Sequence, residues 1–387
     1  MLPNIVFNDD PKYSTDRNLW RSWVSPYSPD DVSTTGITQP PVIAEAVVKV
    51  GEKMSWPERR SWYAQVYPAL LKYHQWLYHD RDPHKEGLVL QIHPWEVGMD
   101  NTPPWMSELH EHQLNWWIRA VKTIGADRVV SLFRRDTKNV EAKERFDNIE
   151  ALAMFDIQRR LRRKSYDIYR ILDHSMFAIE DIAFNAILIR NNELLLDIAH
   201  SLKKQLPKEL VESMEKTKHN FGELWDPLTN QYYSRDFITH RIIKVPSVGT
   251  MLAIYSGVIP EDHVKALIHQ LKDKHSYGSN YPVPSTPLNS FWYKPKNYWQ
   301  GPTWININWM IIDGLKRYGY IEEANFLRES TLAMVSSYGC YEYFNPETGE
   351  GLGAANFSWT AALAIDLCLT PISQDHRPSA SQVEAAQ

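Results

Sequence analysis

Apolar residues recur at helical spacing along almost the whole of this 387-residue chain, and hardly any stretch alternates as a strand would. The period predicts helices over Pro41–Val50, Trp56–Tyr78, Pro104–Val121, Asn148–Arg163, Met176–Arg190, Glu193–Lys204, Lys208–Asn220, Val248–Ser256, Glu261–Lys272, Trp304–Tyr318, Ile321–Ser336 and Phe357–Leu369. Ser55 precedes Trp56-Pro57-Glu58, so it is placed to cap the second of these, with proline in the first turn. An all-α fold follows. With 43% hydrophobic and 23% charged residues the chain can bury a core, which excludes disorder and coiled coil. No Gly/Ser linker divides it, so one domain is expected over 1–370. Residues 371–387 are rich in Ser, Gln, Ala and Pro and are expected to form a disordered tail.

Forty-two Lys plus Arg against 47 Asp plus Glu give a net charge of −5, without the basic excess of a nucleic-acid binder. The longest apolar runs, such as 304–312, are broken by Asn306 and Asn308 and fall short of the roughly 20 residues that cross a bilayer, so no membrane partner is expected. The first seven residues carry neither the basic flank nor the apolar core of a secretion signal, which points to the cytoplasm. Cys340 and Cys368 are too few for a disulfide framework and lack zinc spacing, so both are expected to be reduced and structural.

Three connections share one turn chemistry. Asp82-Pro83, Asp226-Pro227 and Asn345-Pro346 are each followed within a few residues by Gly or Asn, then a short aromatic or aliphatic run, then a new helix. Helical pairs joined by longer loops with small hairpins would place function on those loops. Fifteen Trp exceed both 12 Phe and 10 Met, with 20 Tyr beside them. Such rings suit helix packing and the stacking of sugar rings alike.

Three segments carry chemistry. In His93 to Trp105, Asp100 is bracketed by Trp95, Met99 and Trp105 just ahead of a helix. Aromatic and thioether walls desolvate a carboxyl and keep its proton available for a leaving group, whereas a helix N-terminus favours the anion. For Asp100 to act as an acid, burial or a second carboxylate, with Glu96 the obvious neighbour, must outweigh that dipole. The alternative is a capping residue for the Pro103 helix. In Tyr341 to Gly351, alternation puts Glu342 and Phe344 on one side of a short strand, while Glu347 and Glu350 fall in a solvated turn. Two carboxylates meeting from distant loops over an aromatic floor is the arrangement glycoside hydrolysis requires. In Asn297 to Trp309, Gly301-Pro302 makes a turn that gathers Tyr298, Trp299 and Trp304 at a helix mouth, either as a sugar platform or as helix-end packing; Trp309 reads as core. His110-Glu111-His112 is a poor metal pair, because helical residues two apart diverge. No metal or cofactor is expected, and no phosphate loop, dinucleotide fingerprint or Gly-x-Ser-x-Gly elbow is present.

At Gly36 to Pro41, His93 to Pro103, Tyr298-Trp299-x-Gly301-Pro302-x-Trp304, and Glu342 through Phe357-Ser358-Trp359-Thr360, the chain resembles glycoside hydrolase family 63. The likeness is strongest to the single-domain bacterial branch of mannosylglycerate and glucosylglycerate hydrolases. It implies an (α/α)6 barrel and inversion at the anomeric carbon, with the general acid on Asp100 and the general base on Glu342. Gln39, Trp95, Tyr298, Trp299 and Trp304 fall on positions that resemble the pocket around the glycone. An arginine that grips the glycerate carboxylate in this family falls in Phe133 to Thr137, where Arg135 is the first choice, Arg134 and Arg145 its rivals, and a surface ion pair with Asp136 the bland reading.

Two departures stand out. Relatives usually have Arg where this chain has Gln300, which removes a cation near Glu342 or the substrate. Met1 to Phe7 resembles an internal stretch of the family, whose members carry further helices before it with a Trp and an Asp in the pocket. The chain is therefore expected to lack the first helices of the barrel or to close it differently. The leading function is an inverting α-glycosidase for a small glucoside or mannoside, glucosylglycerate first and mannosylglycerate beside it, with the oligomeric state open. A catalytically weak sugar-binding homologue, or a trehalase-like or broader α-glucosidase, are the alternatives.

Overall fold

The computed structural model describes residues 1–125, 134, 140–141, 144–173 and 177–370, and the described chain is carried by fourteen α-helices. They are α1 Ser14–Trp20, α2 Ile43–Glu52, α3 Trp56–Asp80, α4 Pro103–Glu108, α5 Trp116–Thr123, α6 Asn148–Arg163 and α7 Ile168–Leu172, then α8 Ile182–Ser201, α9 Lys208–Asn220, α10 Gly249–Ser256, α11 Glu261–Lys272, α12 Ile305–Arg317, α13 Ile321–Tyr338 and α14 Ser358–Leu369. The tail expected over 371–387 lies outside the described residues. None of the described helices is long and apolar enough to cross a membrane.

Every residue of α10 is buried, so this helix has no polar face to turn outward and sits in the core. It lies between α8 and α12; α2 flanks α8 on the far side and α14 flanks α12. Around that inner arc, α3 packs on α2 and α8, α9 on α8, α11 on α10, and α13 on α12 and α14. Close approach of α12 to α10 depends on Gly314, where a Cβ would stand 2.8 Å from the backbone of Ile254. A cavity of about 580 Å³ runs between α2 and α14 and borders Gln39, Glu45, Trp299, Trp309, Trp359 and Leu363.

Ser55 opens α3 as its sequence suggests. Its backbone N–H and hydroxyl both donate to Glu58, at 3.0 and 2.6 Å. Two helical expectations are corrected. The single helix over 104–121 is instead α4, a π-helical turn over Leu109–Gln113 and α5, because Asn115 leaves the helix to donate to Asp156 at 2.5 Å. The helices expected over 176–190 and 193–204 are one, α8, beginning only at Ile182, where the Asp181 carboxylate accepts from the backbone of Ala183 and Phe184. Ahead of it Ile179–Glu180 forms β1.

Two of the three Asx-Pro turns close hairpins: β2 Trp225–Asp226 pairs with β3 Gln231–Tyr232, and β5 Tyr341–Phe344 with β6 Gly351–Ala355. The first does not. Asp82 accepts from the backbone of Glu86 and Gly87, and the following strand-like run instead bridges Gln91 to Ile179. β1 then pairs with β4, Arg235–Asp236.

Candidate active site

Asp100 stands on the turn that leads from a 3-10 segment, Pro94–Val97, through Gly98 into α4. Capping is not its role: Thr102 occupies the N-cap of α4, and the Asp100 carboxylate instead accepts from the Tyr298 hydroxyl at 3.2 Å. The residue as a whole is half-buried, while its carboxyl group is enclosed by protein. Burial pushes its pKa up to about 7; the Tyr298 hydrogen bond and the Arg145 charge pull the other way, and Glu342 adds a smaller upward push. Glu96 is not the carboxylate that does this. It is fully buried, bound to Arg81 at 2.8 Å, and accepts from the backbone of Ile92 and Thr38, so it ties the acid loop to the Gln39 loop.

Glu342 is on β5, 7% exposed. Both of its oxygens accept from the Arg145 guanidinium, at 3.1 and 2.6 Å, and Oε2 also accepts from the Ala354 backbone at 3.1 Å. Strict alternation is broken by a register irregularity between Tyr341 and Tyr343. The bend is matched on β6 by Gly353, at φ +71°, where a Cβ would lie 2.7 Å from Glu342 Oε2. Glu347 and Glu350 are exposed in the turn; Glu350 pairs with Lys296 and Glu347 accepts from Tyr293.

Tyr298 bonds Asp100 and carries on its ring the guanidinium that holds Glu342. Its φ of +39° is rarely adopted by a residue with a side chain, a strain of order 1–3 kcal/mol that its surroundings must hold. Asn101 helps to hold it, accepting from the Trp299 backbone at 2.9 Å and donating to Asn297 at 2.8 Å, while the Trp304 indole donates to the Tyr298 carbonyl at 3.1 Å. The Arg145 guanidinium lies 4.5 Å above the Tyr298 ring and 5.9 Å from that of Tyr343. One continuous layer therefore runs from Asp100 through Tyr298 and Arg145 to Glu342.

Trp299 and Trp304 stack at 3.7 Å with their planes 2° apart, both almost fully buried. Trp299 borders the 580 Å³ cavity and Trp304 stands behind it. Trp309, expected in the core, is partly buried at the same cavity, with its indole donating to Asp366 at 2.8 Å. Gln39 also borders this cavity and donates to the Trp95 carbonyl at 3.3 Å. Trp95 faces a second cavity of about 560 Å³ beside Trp20 and Phe7, and its own indole N–H is buried without a hydrogen-bond partner.

Arg135 lies outside the described residues. Of its rivals, Arg134 is turned to the Phe146 carbonyl and the Asn148 side chain, at 2.7 and 3.2 Å, and Arg145 is the cation at the site. The amide of Gln300 is buried between the Asn101 carbonyl and Lys294, and the cation at Glu342 is Arg145, from a different part of the chain. His110 and His112 turn to different carboxylates, Glu150 for the first and Glu108 and Glu111 for the second. Among the described residues no group of three or more His, Cys, Asp or Glu could hold a metal ion. Sequence reasoning missed the union of Arg145 with Glu342 and the role of Asn101. It missed Glu144 as well, whose carbonyl accepts from Tyr343 and whose carboxylate accepts from Gly353 N, at 2.7 and 2.9 Å. For Asn101, its place between Asp100 and a proline-rich turn was the one available signal.

Residues 1–360 match the family model described as the mannosylglycerate hydrolase MGH1-like glycoside hydrolase domain. The chain is 35% identical over 367 residues to a mannosylglycerate hydrolase of Thermus thermophilus, covering 94% of this chain and 84% of that protein. To a mannosylglycerate hydrolase of Rubrobacter radiotolerans it is 34% identical over 375 residues, covering 95% and 82%. The crystal structure of a family 63 mannosylglycerate hydrolase from Thermus thermophilus in complex with Tris superposes with a TM-score of 0.82 at 33% identity, over 96% of this chain and 84% of that one. The stacked tryptophans, the buried acid and the paired glutamate thus stand on the scaffold of a known enzyme family: the chain belongs to the MGH1-like glycoside hydrolases of family 63.

Proposed function

We propose that this glycoside hydrolase cleaves a small α-glycoside by inversion, with Asp100 as general acid and Glu342 as general base. The observation that carries this reading is the Asp100 carboxyl, hydrogen-bonded by Tyr298 and pushed up to about 7 by burial, which keeps a proton available at neutral pH for the departing glycosidic oxygen. Glu342, on the other side of the Tyr298–Arg145 layer, takes a proton from the attacking water. A guanidinium between the two carboxylates supports a separation wide enough for that water, as inversion needs and a retaining pair does not. Trp299, backed by Trp304, and Gln39, Trp95 and Tyr298 surround the glycone in this reading, and Arg135 is the candidate for the aglycone carboxylate.

The substrate class is a hexose α-linked to glycerate. Both sequence relatives described above bear the mannosylglycerate name, which puts mannosylglycerate ahead of glucosylglycerate. The inner arc of α2, α8, α10, α12 and α14 with an outer layer of α3, α9, α11 and α13 supports an (α/α)6 toroid, in a single domain through residue 370. Two free thiols, Cys340 and Cys368, support a reducing compartment such as the cytoplasm. The test is proton NMR of fresh hydrolysate: α-mannosylglycerate should yield β-mannose first. Early α-mannose would overturn inversion, and no release of either hexose from its glycerate glycoside would overturn the substrate class.

A further inference from the structure

Asp100 and Glu342 come from distant parts of the chain, so an inverting reaction needs something that sets the separation of their carboxyl groups. Asn101, the residue after the acid, is fully buried and engages one loop three times. Its side-chain oxygen accepts from Trp299 N at 2.9 Å, its side-chain nitrogen donates to the Asn297 side chain at 2.8 Å, and its carbonyl accepts from the Gln300 side chain at 3.1 Å. Asn297 passes the connection on, because its own amide nitrogen donates to the Arg145 carbonyl at 3.2 Å. The Glu144-Arg145 segment is in turn tied to the hairpin that bears the base. Tyr343 donates to the Glu144 carbonyl, Gly353 N to the Glu144 carboxylate, and the Arg145 guanidinium to both oxygens of Glu342. Backbone bonds between Thr303 and Phe344, at 2.8 and 2.9 Å, hold β5 against the loop that follows Asn297, but they do not aim the Glu342 side chain. Arg145 aims it, and Arg145 is placed through Asn297.

We infer that the Asn101–Asn297 amide pair sets the relative placement of the general acid and the general base, by joining the acid loop to the segment whose arginine aims Glu342. This rests on the function proposed above and deepens it. Both asparagines act through neighbours, so they are positioning residues. An amide suits the task, because one group accepts and donates at once without adding a charge beside Asp100. With the pair broken, Tyr298 and Arg145 are both freer to move away from Asp100, and misplacement of reacting groups by about 1 Å costs on the order of a hundredfold in rate.

The test is steady-state kinetics on mannosylglycerate with Asn101→Ala, Asn297→Ala and the double variant. Each single substitution should lower kcat about tenfold or more and change KM by less than about threefold, because placement is lost and binding is kept. The alkaline limb of kcat/KM should move up by about half a pH unit in both, since the Tyr298 bond and the Arg145 charge that oppose the raised Asp100 pKa are loosened together. Residues that work through one bond are not additive, so the double variant should lose no more than about threefold beyond the poorer single. Circular dichroism checks folding. Asn297→Asp, of the same size, keeps an acceptor for Asn101 and has nothing to donate to the Arg145 carbonyl, so it repeats the kcat loss if an alanine variant does not fold. A kcat within about threefold of wild type in Asn297→Ala, or in Asn297→Asp where that takes its place, overturns the inference and leaves the functional reading intact. A loss confined to KM, an alkaline limb that stays in place, or losses that multiply fully in the double variant do the same. No turnover of mannosylglycerate or glucosylglycerate by the wild-type protein overturns the functional reading, and the inference with it.

Discussion

The Tyr298 hydroxyl donates to Asp100 across 198 residues of chain, at 3.2 Å, from a backbone conformation that non-glycine residues rarely hold. That bond stabilises the carboxylate and so opposes the burial that raises the Asp100 pKa to about 7. Activity that depends on a protonated Asp100 should fall as pH rises through about 7. Tyr298→Phe removes a contribution favouring the anion, so the alkaline limb of kcat/KM should move up by about half to one pH unit, the equivalent of one hydrogen bond. A limb that stays in place or moves down, measured over pH 5 to 9, would show that the proton in question is elsewhere.

The acid also leaves a mark on stability. An acid whose pKa is raised on folding, here from 3.8 to about 7, contributes no penalty below the lower value and its full penalty above the higher. Asp100→Asn replaces it by a neutral amide of the same shape. The variant should lose at least a hundredfold in kcat, yet be more stable than the wild type at pH 8 by on the order of 1 kcal/mol or more, with the difference shrinking toward pH 4. Urea unfolding at the two pH values reads this directly. A variant equally stable at both would mean that Asp100 is not held protonated by its surroundings.

Glu342→Gln should lose kcat to a comparable degree, because an amide takes no proton from water. It also leaves the Arg145 guanidinium facing a neutral group in a site where its side chain is 11% exposed, so destabilisation of about 2–4 kcal/mol should accompany the loss. Activity retained above about a hundredth of wild type would remove Glu342 from the proposed role.

Much of the helical frame was legible because amphipathic periods report burial directly, as at α9, α11 and α12. Where the reading failed, polar residues were doing core work. Arg190-Asn191-Asn192 looks like a break between two helices, but Asn191 accepts from Glu45 N at 3.0 Å and Asn192 bonds His74 and Tyr78 at 2.8 and 2.7 Å, so the polar run is buried inside α8. At 109–115 the apolar period continues through a segment that is broken by one asparagine finding a partner on α6. Asp100 and Glu342 stood out for a different reason: each is a carboxylate among aromatic residues close in sequence. Arg145 did not, since its partner is 197 residues away and nothing in Glu144-Arg145-Phe146 separates it from a surface cation.

Trp304 tests the platform. Its indole is 1% exposed, stacked on Trp299 and edge-on to Tyr298 at 5.5 Å. Trp304→Ala should cost about 3–5 kcal/mol in unfolding free energy, the usual result of removing a large buried ring, and should loosen Tyr298, whose carbonyl loses the indole donor. Trp304→Phe keeps most of the stack but not that hydrogen bond. If Trp304 acts only by backing the wall, the phenylalanine variant should raise KM for mannosylglycerate by less than about threefold.

Arg81 carries the last prediction, at some distance from the chemistry. Its side chain is 2% exposed and bonds Asp80 at 2.6 Å and Glu96 at 2.8 Å. Glu96 in turn accepts from Ile92 N at 2.8 Å and Thr38 N at 3.1 Å, so one cation neutralises the carboxylate that joins the Gln39 loop to the Asp100 loop. Arg81→Ala would leave two buried carboxylates facing each other with no counter-charge, at a cost of about 3–5 kcal/mol. Replacing both partners in the Arg81→Met, Glu96→Gln double variant removes the stranded charge at Glu96 and should recover part of that stability. If the single substitution costs less than about 1 kcal/mol in urea unfolding, the Arg81–Glu96 pair is not what holds the two loops together. If it costs the expected amount but leaves KM and kcat unchanged, the loops keep their places without it.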